Sequence, residues 1–393
     1  MQAIKEGCGE YARKESEATE FSAQATSCNW VFRQTTAIWS PVTNERRIEC
    51  RQYSDCMAVK MKDIASELGL SIVTISKVLR NHPDISVETR ERVLAHVRKR
   101  DYQPNTLARS LVTGRSFLIG LIVPDLIHPF FAEVAKALSL AIRPAGYSLV
   151  ISSSEEDPEL EAQEIRQLLA RQLDALVIAS TAMTGERFER LDQNDQAYIL
   201  IDRNFPGSKG NFVGVDDIAV GRLATQHLID IGCKHIAHIS GRENSTGINR
   251  LAGYKQALLA NGLPYLPDYV VTGTSVDAQS VQQGAQAARL LLQRNPLPDG
   301  VFCYNDPLAI GAMDAILDAG LSIPNDIALI GCGNLHYDAS LRVSLSSVDQ
   351  HSSMIGERAG QIVLNIVETK KSKIPQHVIL QPSLVARASS QRH

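Results

Sequence analysis

Apolar positions follow two different periods along this chain, and the change near residue 117 divides it. Between residues 61 and 99 they recur at helical spacing. Ile64, Ala65 and Leu68 share one face of a helix predicted over Met61–Leu68, and Gly69 sits where a residue just beyond a helix end belongs. Ser71 is a good N-cap for a second helix over Ile72–Leu79. In that helix Ile75, Val78 and Leu79 turn inward, leaving Ile72, Val73 and Lys77 on the outer face. A third helix from Ser86 packs through Val93, Leu94 and Val97. Two short helices around a tight glycine turn are the helix-turn-helix pattern, whose second helix enters the DNA major groove.

From Phe117 the pattern changes to short, continuous apolar runs separated by helical stretches. Strands are predicted at 117–123, 147–152, 175–180, 198–202, 212–216, 235–240, 269–273, 300–305, 327–332 and 345–349. Helices are predicted at 130–145, 159–171, 218–231, 249–261, 276–294 and 308–319. Unbroken apolar strands alternating with helices indicate parallel sheets covered on both faces. Ten strands are many for one such sheet, so two similar α/β halves with a ligand cleft between them fit better.

Charge sharpens the division. Residues 60–116 hold 11 Lys and Arg against 6 Asp and Glu, whereas residues 117–393 hold 22 against 29. A basic head on an acidic body suits a phosphate backbone partner. Charge alone would favour a solvated helical face; the helix-turn-helix spacing reverses that preference.

Residues 1–56 differ from the rest. They carry Cys8, Cys28, Cys50 and Cys56, both tryptophans and little periodicity, and read as a disordered or spurious N-terminal extension. Cys233, Cys303 and Cys332 lie in apolar runs and are expected to be buried thiols. No apolar run reaches the ~18 residues of a membrane span, and a basic flank plus apolar core is missing at the N-terminus. The expectation is a cytoplasmic, nucleoid-associated protein that does not contact a membrane.

The motifs are more specific than the pattern. Lys62-Asp63-Ile64-Ala65, then Ser71 through Leu79, then Tyr102-Gln103-Pro104-Asn105 with Ala108, Arg109, Leu111 and Gly114 resemble the LacI/GalR family of bacterial transcription regulators, a similarity spanning residues 58–387. The resemblance implies a head over residues 57–104 and a hinge helix and linker over 105–116. A periplasmic-binding-protein-like body over 117–393 follows, built of two doubly wound parallel-sheet subdomains. The subdomains are expected at 117–214 plus 351–372 and at 215–350 plus 373–393. It further implies that Ile72, Val73 and Lys77 read bases, that Thr74, Ser76 and Asn105 touch phosphates or position the head, and that Ala108, Arg109 and Leu111 complete the DNA-binding set. Ile72 and Val73 suit methyl contacts rather than hydrogen bonds. Leu111 would wedge into the minor groove, kinking the duplex at a cost of about a few kcal/mol. Lys60 stands where the family often has a threonine N-cap.

Polar residues directly after strands mark the expected cleft, because parallel sheets bind ligands beyond the carboxyl ends of their strands. By resemblance Asp202, Arg250, Asn305 and Gln350 contact an effector, and His128, Phe130, Thr246, Ser275 and Gly333 line the same cleft. Two departures stand out: Gly333 replaces an aspartate usual in sugar-binding members, and Ser275 stands near a usual aromatic. A sugar, a sugar acid or a similar metabolite held by Arg250 is expected, and no cofactor. Phosphate-cradling loops and the nucleophile elbow are missing, which disfavours a nucleotide-dependent α/β enzyme. His235 and His238 fall on opposite faces of a strand, a poor metal pair. A solute-binding protein would need a secretory leader and no head. The resulting expectation is a repressor acting as a homodimer or tetramer on a palindromic operator of double-stranded DNA.

Overall fold

The computed structural model describes residues 59–103, 110, 113–182, 184–205, 207–208, 210–272, 279–369 and 374–392. Residues 1–56, and with them Asn105, Ala108, Arg109, Leu111 and Ser275, fall outside that description. The chain forms two compact units, one ending at Tyr102 and the other starting at Gln103.

In the first unit, helices α1 (Met61–Leu68), α2 (Ile72–Leu79) and α3 (Val87–Lys99) form as the pattern predicts. The first begins after Lys60 without a threonine: the Asp63 carboxylate accepts the Lys60 N–H at 2.9 Å. Gly69 takes the left-handed conformation (φ 65°), which lets Leu70 N–H reach the Ala65 carbonyl at 2.9 Å and close the helix end. Ser71 Oγ caps α2 through Thr74 N–H at 3.0 Å, and Ser86 Oγ caps α3 through Thr89 N–H. Ile64, Ala65, Ile75, Val78, Val93 and Tyr102 are buried together, with Leu79, Leu94 and Val97 packed around them.

The second unit contains two six-stranded sheets. Strands β1 (Leu118–Val123), β2 (Ser148–Ser153), β3 (Ala175–Ile178), β4 (Tyr198–Ile201), β5 (Asn211–Val215) and β11 (His377–Leu380) form the first, ordered β11-β5-β4-β3-β1-β2 and wholly parallel. Strands β6 (Ile236–Ser240), β7 (Val270–Thr272), β8 (Gly300–Cys303), β9 (Ala328–Cys332), β10 (Ser346–Asp349) and β12 (Ser383–Val385) form the second, parallel except for β12. The central strands are buried along their length, which explains their unbroken apolar sequences.

Helices α4 (Pro129–Ile142), α5 (Pro158–Ala170) and α6 (Glu186–Gln193) belong to the first half, and α7 (Asp217–Asp230), α8 (Ser245–Ala260), α9 (Ser280–Leu291) and α10 (Asp306–Asp318) to the second. Then α11 (Ser352–Thr369) returns to pack on the first through Ile355, Ala359, Ile362 and Val363. One expected boundary is corrected. The tail from 373 does not all join the second subdomain: His377–Leu380 pairs with β5, satisfying the backbone groups of that edge, and only β12 crosses back. Asp216 N–H bonds the Leu380 carbonyl at 2.9 Å where the crossings run side by side. Cys233, Cys303 and Cys332 are buried free thiols, as expected.

Candidate functional site

In the head, α2 presents the residues expected to face DNA. Ile72 is 50% exposed and Val73 62% exposed on a helix whose other face packs into the core. Thr74 Oγ1 is held 2.9 Å from Ser71 Oγ, fixing the start of the helix, and Ser76 is partly exposed. Lys77 Nζ lies 2.5 Å from Asp84, whose carboxyl this hydrogen bond holds below its usual range. Base readout by Lys77 therefore requires that exposed pair to open, a small cost because solvent screens it.

Among the described residues, the body's candidates lie at the carboxyl ends of strands in the two sheets. Arg250, in the second turn of α8, is 2% exposed. Its Nε donates to Asp217 Oδ1 at 2.8 Å, one terminal nitrogen to the Tyr304 carbonyl at 2.7 Å and the other to Gln350 Oε1 at 2.6 Å, and the guanidinium lies 4.5 Å from the Tyr304 ring centre. Burial pushes the Asp217 carboxyl up to about 6, although Arg250 pulls it down. Thr246 Oγ1 contacts Tyr304 Oη at 2.6 Å and donates to Asn244 Oδ1 at 2.7 Å.

His128 and Asn305 come from different sheets and meet. His128 caps α4, its Nδ1 accepting Phe130 N–H at 3.3 Å, and its Nε2 lies 3.4 Å from Asn305 Nδ2. Burial lowers the His128 pKa to about 4, helped by Arg203 and Arg250, so the ring is neutral at pH 7. Phe130 is buried edge-on to Phe131 at 5.0 Å. Asp202 is buried at a left-handed φ of 61°, and burial raises its carboxyl despite Arg203 and Arg250.

The structure supplies a physical reason for Gly333. Its φ is 141°, and a Cβ there would stand 2.7 Å from Asp306 Oδ2. Asp306 occupies that space, accepting Ser347 Oγ at 2.7 Å and Leu335 N–H at 3.3 Å. An aspartate at 333 would add backbone strain and a second carboxylate beside it.

Both units have counterparts among known proteins. Residues 116–388 match the family described as periplasmic binding proteins and sugar binding domain of LacI family, and residues 60–105 match bacterial regulatory proteins, lacI family. The chain is 30% identical over 324 residues to the catabolite control protein A of Priestia megaterium, covering 81% of this chain and 96% of that one. The chain belongs to the LacI family of bacterial regulatory proteins. A second relative, the HTH-type transcriptional repressor PurR of Histophilus somni, is 29% identical, covering 84% and 98% of the two chains. Among solved structures, a transcriptional regulator CelR–cellobiose complex superposes with a TM-score of 0.64 at 26% identity, covering 84% of this chain and 99% of that one. This LacI-family chain is accordingly a DNA-binding transcriptional regulator rather than an enzyme, with its effector-binding part in the C-terminal body.

Four polar residues of the cleft were not singled out from sequence: Glu156, Asp217, Arg242 and Tyr304. Glu156 lies three residues beyond β2, Asp217 two beyond β5, Arg242 two beyond β6 and Tyr304 one beyond β8. The rule that found Asp202 and Asn305, applied to every strand, would have found them as well.

Asp338 is a further buried acid of this LacI-family chain. It is fully buried, and neither of its oxygens has a hydrogen-bond partner among the described residues. Burial and the Asp306 charge hold it well above the usual carboxylate range. A folded-state pKa above the unfolded value of about 3.9 means that its stabilising contribution is complete below that pH and is lost as pH rises. Asp338→Asn keeps a donor and removes the titration. The variant is expected to melt a few °C higher than the parent near pH 8, with a clearly smaller gain near pH 5 that shrinks further toward pH 4. Equal shifts at both pH values in a thermal melt would contradict a proton held on buried Asp338.

Proposed function

We propose that the protein is a repressor acting as a homodimer or a higher oligomer on a palindromic operator. Ile72, Val73 and Lys77 would read bases, with Thr74, Ser76 and Asn105 on the phosphates and Ala108, Arg109 and Leu111 completing the hinge contacts. The observation that carries this reading is the pair of exposed aliphatics, Ile72 and Val73, on the outer face of the second helix of a capped helix-turn-helix. They offer methyl contacts to thymine C5-methyl groups in the major groove.

The effector would bind in the body among His128, Phe130, Asp202, Thr246, Arg250, Ser275, Asn305, Gly333 and Gln350. It would be a sugar, a sugar acid or a similar small metabolite. Among the described residues no helix is long and apolar enough to cross a membrane, in keeping with work on DNA in the cytoplasm. Effector and operator would be coupled reciprocally, each changing the affinity for the other by the same factor.

A gel shift with DNA flanking the protein's own gene tests this reading. A retarded complex resisting competitor DNA and altered by one compound of a metabolite panel is expected. Binding no tighter than to random DNA at the same salt would overturn it.

A further inference from the structure

Glu156 occupies an unusual place in the body. It lies between β2 and α5 of the first subdomain, and its carboxylate is 9% exposed. Arg203, from the loop after β4, grips both of its oxygens at 2.8 and 3.1 Å. Arg242, from the loop after β6 of the second subdomain, reaches Oε2 at 3.3 Å. Two guanidiniums, one from each subdomain, thus converge on a single carboxylate carried by the protein itself. Glu155 and Glu156 both hold left-handed backbone conformations, φ 49° and 58°, which are unfavourable for non-glycine residues.

The polar groups around this triad have donors to spare. Arg203 is 3% exposed, and its Nε makes no hydrogen bond, with Asp202 Oδ2 3.5 Å away. Asn244 Nδ2, two residues from Arg242, is buried without a partner. His128 Nε2 lies nearby, 3.4 Å from Asn305 Nδ2. Unmade bonds of this kind are costly in a buried site. An oxygen acceptor within reach would satisfy them.

Building on the effector-responsive reading above, we infer that the cleft takes an oxyanion-bearing small molecule, a carboxylate or a phosphate ester. Its anionic group is held between Arg203 and Arg242 in the position that Glu156 fills from within the chain. A ligand anion exchanges one carboxylate partner for another, so neither guanidinium is left bare, and the ligand's remaining oxygens meet the unpaired donors. Arg250 is a secondary contact for the ligand rather than the seat of its anion, because Asp217, Tyr304 and Gln350 each already engage one N–H of its guanidinium.

The test is a thermal melt of the full chain in sodium phosphate, sodium acetate or sodium chloride at matched ionic strength. The parent should gain stability in at least one oxyanion over chloride, and the responding salt distinguishes phosphate from carboxylate recognition. Glu156→Gln, which frees both guanidiniums, should show a larger gain, by roughly 2 °C or more. Arg242→Ala, at a side chain 39% exposed, should lose the gain. Since the basic head is unchanged in Arg242→Ala, a gain that survives there comes from elsewhere and overturns the inference. No oxyanion gain in the parent also overturns it, and that result stands even if Glu156→Gln fails to fold. Operator binding by the parent, measured in parallel, separates the two readings. Intact binding with no oxyanion effect sinks only the inference, whereas loss of specific DNA binding sinks the regulator reading itself.

Discussion

Arg250→Ala is expected to destabilise the body by about 3–5 kcal/mol, because it leaves the buried Asp217 carboxylate without its cation. The loss should be larger near pH 8 than near pH 5. Burial already pushes Asp217 up to about 6, and without Arg250 the acid rises further and escapes the penalty only when protonated. Adding Asp217→Ala to Arg250→Ala should recover a substantial part of the loss, since the unpaired charge goes with it. Denaturant melts of the two single variants and the double variant read this directly. A double variant as unstable as the two losses added together would show that Arg250 and Asp217 act independently, against the geometry. The same variant should lose its response to any effector. Arg250 also fixes Gln350 and the Tyr304 carbonyl, so that loss would report the integrity of the cleft and not a direct ligand contact alone.

The second large effect lies in the head. Ile75 is fully buried in a cluster of six buried apolar residues among those described. Truncating such a side chain costs about 2–5 kcal/mol, comparable to the whole stability of a domain this small. Ile75→Ala should therefore abolish specific DNA binding, while the separate body keeps its melting transition. Circular dichroism with a gel shift would show this as a lost low-stability transition and a lost complex. Retained operator affinity would mean that the three-helix core does not hold the reading helix. By contrast, Val73→Ala on the exposed face should leave the head folded and alter only base preference.

The head was legible because its signals are local. Gly69, Ser71 and Ser86 each act within a few residues of their own position, and the inward stripe of Ile75 and Val78 is a matter of helical period. The parallel sheets were legible for a related reason: their central strands are buried on both faces and so read as apolar runs. Edge strand β11 was missed because half its side chains are solvated and its pairing partner lies more than 160 residues earlier, at Phe212–Val215. Helix α6 was missed because its charged sequence, ERFERLDQ, carries few apolar residues to mark a face.

The cleft was legible in part. Asp202, Asn305 and Gln350 announced themselves by following strands. What sequence could not show is which groups already hold one another. Arg250 looked like a cation awaiting a ligand, yet its partners lie 33, 54 and 100 residues away in the chain. Glu156 was not singled out in the acidic stretch before Pro158, and only the fold sets it between arginines of two subdomains. Gly333 read as a lost ligand contact; its backbone conformation and the nearness of Asp306 add a steric reason that no local pattern carries.

The most direct measurement of the central reading is selection of bound sequences from a random double-stranded DNA pool by the full chain. The account predicts enrichment of two inverted half-sites, with thymine methyls at the positions facing Ile72 and Val73, and a changed preference at those positions for Val73→Ala. A pool that shows no enrichment, or enrichment identical for both proteins, would contradict it.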